Sequence, residues 1–455
     1  MKEATLSDKY IIDNCTKIYS DFLTNKSKTK LSSLIGAFDK QGNIPSAKVD
    51  EIEVLWKDLL SDAISFLKFK DKREFDYDKA DGKRNYDTSK EKVYERDQIA
   101  FGIDKLFQYF IEFRNFEALL YGADKFYRDH VLHVFRVWLI GVWLIEKFNF
   151  KLHWDFKKLG VKQQKKFFIS FDEILAMWCI IALTHDLGYP LDKVKQVKEK
   201  VNGMMSYFGG NDVSEQDFQI PTHHHFINDF ILRFISSKLI EITPNKKFKT
   251  AIQTKFYLKF SRSFENFNHG IISCVVLMKN LIYFLESDFD MSNPFRDTED
   301  ARQYCIRREI LRAIACHTCT DIYHLHPNTL SFILILADEL QTWDRPTFTE
   351  LKRGKQKINI SMYIPQISKE KITIKMQPIG SNKKDATPLF KQIFKKWHKW
   401  LRGALDGKDR KFVFELCFSV GQGKRSTTHK FLSKPGNLIE YYENNKKEDV
   451  RKLYI

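Results

Sequence analysis

Six side chains in this sequence have the chemistry of metal ligands: His133, His185, Asp186, His269, His317 and Asp338. His185 and Asp186 are adjacent in "THDLGYP", directly after the apolar stretch "FDEILAMWCIIAL". His133 lies in "RDHVLHVFRVWL", His269 in "ENFNHGIISCVVL", His317 at the end of "RREILRAIACH", and Asp338 within "LSFILILADELQTWDRP". Each has apolar flanks at helical spacing, where an unsatisfied polar group costs on the order of 1–3 kcal/mol and an isolated charge costs more. Any one of them alone reads as a core or surface residue. Together, four neutral imidazoles and two carboxylates satisfy one another when divalent cations lie between them.

Ligands so far apart in sequence need elements to bring them together. Apolar residues recur at helical spacing over 131–148, 172–184, 226–241, 269–287, 301–317 and 328–343, and few stretches alternate with period two. Residues 121–347 are therefore expected to form a predominantly α domain. Residues 1–120 share the helical pattern, with Ile52, Leu55, Leu59, Ala63 and Phe66 on one face, and read as a helical cap or oligomerisation layer. The charged stretch 70–92 reads as an exposed loop, and the polar stretch 190–225, with Gly209 and Gly210, as a lid. From 348 to 455 the pattern changes. "KINISMYIP", "KITIKMQP" and "KFVFELCFSV" read as strands, while Phe390, Ile393, Phe394, Trp397 and Leu401 share one helix face. The expected class is mainly α, a helical core with a helical N-terminal region and a small α+β C-terminal appendage.

Bulk properties fit that organisation. The chain has 455 residues, 43 % hydrophobic and 29 % charged, enough for two or three domains with an ample core. Its seven cysteines are scattered, and the lone CxxC at 316–319 has no second pair, which argues against a four-ligand zinc knuckle and for a reducing interior. The N-terminus has no basic segment leading into an apolar one, so no secretory signal is expected. The run "VLHVFRVWLIGVWLI" carries His133 and Arg136, and "ILAMWCIIAL" is too short to cross a bilayer, so both read as core helices of a cytoplasmic protein without a membrane partner. The net charge of +17 is concentrated in the tail, where residues 348–455 hold 25 Lys/Arg against 10 Asp/Glu. That excess suits an anionic partner, and it equally suits a solvated lysine-rich surface. "GQGKRS" at 421–426 lacks the spacing of a phosphate loop and reads as a hairpin turn.

With "HVFRV", "THDLG", "NHGIIS", "AIACH" and "LADELQTWDRP" in this order, residues 125–347 resemble the HD-domain superfamily of metal-dependent phosphohydrolases. The resemblance implies an all-helical bundle around metal. It implies His133, His185, Asp186 and Asp338 as primary ligands, His269 and His317 as ligands of a second cation, and Asp186 as the bridge. One or two divalent ions (Mn²⁺, Mg²⁺, Co²⁺ or Fe²⁺) are the expected cofactor. Two such cations against two carboxylates leave about two positive charges, which attract phosphate, and lower the pKa of a bound water toward about 7. His130, at i,i+3 from His133, reads as an orienting group or proton donor, and His223, His224 and His225 as candidate general acids from the lid. Arg128, Tyr189, Lys193, Lys195, Arg312 and Arg345 are candidate substrate contacts.

Within the superfamily the chain resembles most the deoxynucleoside triphosphohydrolase branch, some of whose members deplete nucleotide pools in antiviral defence. That branch implies a homo-oligomer with a regulatory nucleotide. The chain departs from it in lacking further histidines soon after the HD pair, where "HDLGYPLDKVK" has Tyr189 and lysines. The paired extra histidines favour the alternative of a cyclic nucleotide or cyclic dinucleotide phosphodiesterase. A nuclease holding nucleic acid on its basic tail ranks lower, since the tail has no familiar nucleic-acid motif. A nucleotide-sensing protein with little turnover and a di-iron oxygenase are the readings from other classes.

Overall fold

The computed structural model describes residues 5–69, 102–123, 129–156, 165–205, 207, 222–242, 247–285, 294–295, 298–319, 321–322, 327–345, 359–379, 390–395, 397, 412–420, 427–434, 438–449 and 451. The chain is mainly α with a C-terminal sheet. Its helices are α1 (Asp8–Asp13), α2 (Asn25–Ile35), α3 (Val49–Phe69), α4 (Ile103–Ala123), α5 (Val131–Lys147), α6 (Phe171–Thr184) and α7 (Tyr189–Met205). They continue with α8 (Thr222–Ser236), α9 (Thr254–Glu265), α10 (His269–Asn280), α11 (Ile282–Leu285), α12 (Thr298–Cys316) and α13 (Leu330–Leu340).

Helix α6 is the axis of the molecule. Ser170 and Glu173 close its N-terminus as a reciprocal capping box, and every residue from Glu173 to Thr184 is buried. Such a helix, apolar all round, must be covered on all sides. Helices α3, α5, α12 and α13 do this. The closest approach is at Gly141 of α5, where an added Cβ would lie 1.8 Å from the Trp178 ring. The indole of Trp178 donates to the Trp138 carbonyl at 2.9 Å, and that of Trp56 in α3 to the Leu183 carbonyl at 2.8 Å. Among the described residues, one stretch, Phe171–Met204, is long and apolar enough to cross a membrane; 89 % of its most apolar 18-residue window is buried inside the protein.

The N-terminal helix face predicted from spacing is buried at Ile52, Leu55, Leu59, Ala63 and Phe66. It packs directly on α6, so the N-terminal region and the helical core share one hydrophobic interior. The pattern of 121–347 reads as helical throughout, and the structure corrects this. The region also carries two antiparallel hairpins, β1 (His153–Phe156) with β2 (Lys165–Phe168) and β3 (Ser237–Ile242) with β4 (Lys247–Ile252). The helix expected over 226–241 stops at Ser236. Ser236 and Ser237 turn their hydroxyls back to the carbonyls of Leu232 and Phe234, a local bond that competes with the helix ladder. Beyond it, Ser237 and Leu239 face inward and Lys238 and Ile240 outward, with the period of a strand. The helix expected over 269–287 is likewise interrupted after Asn280, whose amide caps the Val276 carbonyl. The first half of the expected lid is helix α7, packed on α4 and α10; residues 208–221 lie outside the described residues, as does the charged stretch 70–92.

The tail forms a six-stranded sheet of β5 (Asn359–Ser368), β6 (Lys371–Ile379), β7 (Val413–Val420), β8 (Thr427–Lys434), β9 (Leu438–Glu443) and β10 (Lys446–Glu448), ordered β10-β9-β8-β7-β6-β5. Three of these strands were legible in the sequence. All pairs are antiparallel except β6 with β7. A parallel pair needs a crossover, and the crossover contains the apolar face predicted from spacing. Phe390, Phe394 and Trp397 are buried against His429, Phe431 and Phe414; Leu401 lies outside the described residues. "GQGKRS" is also outside them, between the paired ends Val420 and Thr427. The sheet is joined to the helical body through Phe412, which meets Phe148 and Phe332 edge-on.

Candidate metal centre

The six residues come together at the end of α6. His185 is the C-cap of that helix and Asp186 follows it; His133 is on the first turn of α5, His269 opens α10, His317 follows the last residue of α12, and Asp338 is in the last turn of α13. Asp186 lies at the middle. Its Oδ2 is 3.3 Å from His185 Nε2 and 3.6 Å from His133 Nε2, while its Oδ1 is 3.4 Å from His269 Nε2 and 3.6 Å from His317 Nε2. Asp338 Oδ1 is 3.0 Å from His133 Nε2. The donor atoms of His133, His185 and Asp338 all lie within 4.8 Å of one another, as do those of His185, Asp186 and His317.

The far nitrogen of each ring is already engaged. His185 Nδ1 donates to the Ala182 carbonyl at 2.8 Å, and His317 Nδ1 to the Ile314 carbonyl at 2.5 Å. Both are the same local device: a histidine just past a helix end satisfies a carbonyl of the last turn, which has no partner within the helix. His133 Nδ1 meets Gln341 Oε1 at 2.8 Å, and the Gln341 amide donates to the Trp343 carbonyl, so the Gln341 oxygen faces the ring and the ring donates. His269 Nδ1 lies 3.3 Å from Asp192 Oδ2. In a neutral ring the proton so held on Nδ1 leaves Nε2 bare and facing the centre, the arrangement that outer partners impose on metal-bound histidines.

The inner nitrogens Nε2 of His133, His185 and His317 are buried and have no partner in hydrogen-bond geometry. What they face are carboxylate oxygens, Asp338 Oδ1 at 3.0 Å from His133 and the two Asp186 oxygens at 3.3–3.6 Å from all three. A divalent cation fits this donor set of imidazole nitrogen and carboxylate oxygen. The C-terminal ends of α6, α12 and α13 also converge here, and their dipoles favour positive charge.

The electrostatics favour neutral rings at His133 and His317. Burial, reinforced by the Arg345 charge, lowers the His133 pKa to about 4, and burial lowers that of His317. His185 is the exception. Burial pulls it down, but the Asp186 and Asp338 carboxylates and the Ala182 carbonyl together outweigh burial and raise it. Asp186 and Asp338 are likewise disfavoured as anions by burial, yet the surrounding histidines hold both well below the usual carboxylate range. The centre meets solvent at Asp338 and His269, whose side chains are 32 % and 21 % exposed.

The other residues singled out from the sequence divide. His130 is buried beside the centre, its ring 6.1 Å from that of His133 and 4.2 Å from Tyr189. Glu117 accepts from its backbone at 2.9 Å and lies 3.1 Å from its Nδ1. Burial lowers the His130 pKa to about 3, which makes it a neutral ring. Tyr189 stands between His130 and His269, and the Lys193 ammonium lies over its ring. Arg345 donates to the Asp129 carbonyl and is close enough to depress both His130 and His133. Arg312 is not gathered in. It donates to the carbonyls of Ile235 and Ser237 and to Gln253, and burial lowers its pKa to about 10. Arg128 and the side chains of Lys195, His223, His224 and His225 lie outside the described residues.

Three outer partners were missed in the sequence: Glu117, Asp192 and Gln341. Only Gln341 and Asp192 carried a signal, as polar residues within one or two helical turns of Asp338 and Asp186. Glu117 is 13 residues from His130 and on another helix. The chain matches no protein-family model, no curated protein and no solved structure.

Proposed function

We propose that the chain is a metal-dependent phosphohydrolase of the HD-domain type acting on nucleotides, with a deoxynucleoside triphosphate as the first candidate substrate. The observation that carries this reading is the set of three buried imidazole nitrogens that face the Asp186 carboxylate at 3.3–3.6 Å. His133, His185, Asp186 Oδ2 and Asp338 would hold one cation, and His269, His317 and Asp186 Oδ1 a second. When bound, such cations acidify water for attack on phosphorus and neutralise charge on the phosphoryl oxygens. The chain's own groups do the rest. Arg345 and Lys193, at the rim, supply positive charge for a polyphosphate. Tyr189 packs between His130 and His269 under the Lys193 ammonium and places that charge beside the centre. His130, neutral and anchored by Glu117, serves to orient rather than to protonate.

The division of Asp186 between two histidine pairs favours a two-cation site, and with it the second reading, a cyclic nucleotide or cyclic dinucleotide phosphodiesterase. One experiment separates the readings. The full chain is incubated with dNTPs, NTPs, cyclic nucleotides and cyclic dinucleotides in Mn²⁺, Mg²⁺, Co²⁺ or Fe²⁺, and the products are resolved. Release of intact triphosphate supports the first reading, and a linear nucleotide supports the second. Failure to retain any divalent metal and to cleave any phosphate ester would remove both. The homo-oligomer and the regulatory nucleotide belong to the first reading and stand or fall with it.

A further inference from the structure

Arg136 is 1 % exposed and sits one helical turn after His133 on α5. Its guanidinium is held on every side. Nε lies 3.1 and 3.0 Å from the two oxygens of Asp8, itself fully buried; one terminal nitrogen reaches the Ile44 carbonyl and the Asp344 carboxylate, and the other the Asp344 carbonyl. Asp8 also accepts from the Ile44 backbone and the Trp343 indole. Asp344 has φ 46°, a left-handed backbone that a non-glycine residue keeps only where its surroundings hold it. Here the same arginine grips both its carboxylate and its carbonyl. The short segment so fixed carries Gln341, which sets the His133 ring, and Arg345, which reaches back to the Asp129 carbonyl.

We infer that Asp8 and Arg136 are positioning residues of the metal centre. Through the Asp8–Arg136–Asp344 staple, the N-terminal segment sets the 341–345 turn that orients His133 and aims Arg345. The inference deepens the metal-centre reading and rests on it for its functional consequence, while the geometry of His133 tests it without metal.

The test uses the full-length protein and its Asp8→Asn and Asp344→Asn variants, with Asp62→Asn as a control remote from the staple. Co²⁺ affinity is measured by titration, and in metal-free protein the His133 tautomer is read by NMR with ¹⁵N-labelled histidine. Substituting an outer partner of a metal site costs about 10- to 100-fold in affinity. The staple acts one step further out, so roughly 3- to 10-fold weaker Co²⁺ binding is expected in Asp8→Asn and Asp344→Asn. His133 is expected to pass from a single Nδ1–H form to a mixture in both. Asp62→Asn should leave both readings as in the unaltered chain. Asp344 is partly exposed, so its variant keeps the test open should Asp8→Asn fail to fold. Unchanged Co²⁺ affinity and an unchanged tautomer would overturn the inference. Absence of Co²⁺ binding in the unaltered chain, with the tautomer still responding to Asp344→Asn, would sink the metal reading and leave the staple standing.

Discussion

At the scale of single residues, the centre turns on Asp186, whose two oxygens face four histidine Nε2 atoms at 3.3–3.6 Å. His185→Ala and Asp186→Ala should each abolish bound divalent metal, read by elemental analysis of the purified protein, and with it any nucleotide turnover. Gln341→Leu keeps the volume of the side chain but removes the acceptor for His133, and should weaken metal binding roughly 10- to 100-fold in a competition titration. A pH effect arises away from the site. Burial raises the Asp62 pKa to about 6 from 3.8, although Thr24 donates to it through both backbone and hydroxyl. The folded state therefore holds the Asp62 proton more tightly than the unfolded chain. Its contribution to stability is complete below pH 4 and is lost as the pH rises through about 6. Asp62→Asn should gain up to about 3 kcal/mol over the unaltered chain above pH 6, and nothing below pH 4, in urea titrations across that range.

At the scale of elements, the site depends on how closely α5 and α6 cross, because His133 and His185 are on those two helices. Gly141 sets that distance, with the Trp178 ring where its Cβ would be. Gly141→Ala should destabilise the fold by about 2–3 kcal/mol, since neither the buried indole nor the helix backbone can yield cheaply. A Cβ added at Gly203, near the end of α7, would meet nothing within 4 Å. Gly203→Ala should instead stabilise by about 0.5 kcal/mol through helix propensity alone. Chemical denaturation of the two variants side by side checks both signs.

At the scale of the whole molecule, the N-terminal region is built into the body that carries the centre. Asp8 and Ile44 close around Arg136, Trp56 bonds to the last turn of α6, and the Leu6 amide bonds to the Met362 carbonyl of the C-terminal sheet. Deleting residues 1–48 removes Asp8 and Ile44 and leaves Arg136 buried with Asp344 as its remaining ion-pair partner. Breaking a buried pair in this way costs roughly 3–5 kcal/mol. The truncated chain should therefore lose its cooperative thermal transition, followed by circular dichroism. A truncation that melted like the full chain would show the region to be a removable cap.

The six side chains that cluster, the mainly helical class and the change to strands after 346 were legible in the sequence because each is local: residue type, apolar period and turn residues. His185 and His317 could be read as helix-end histidines for the same reason. What only the tertiary structure decided is which groups meet across long separations. Glu117 anchors His130, Asp192 faces His269 from another helix, and Asp8 reaches Arg136 over 128 residues. The failures share this cause. Arg312 has the right charge and the right helix for a phosphate contact, but the carbonyls of Ile235 and Ser237 claim it. The apolar run through 241 hides a strand because its end is set by two serine hydroxyls and by pairing with β4. Periodicity records which face of an element is buried; it carries no record of what is packed against that face.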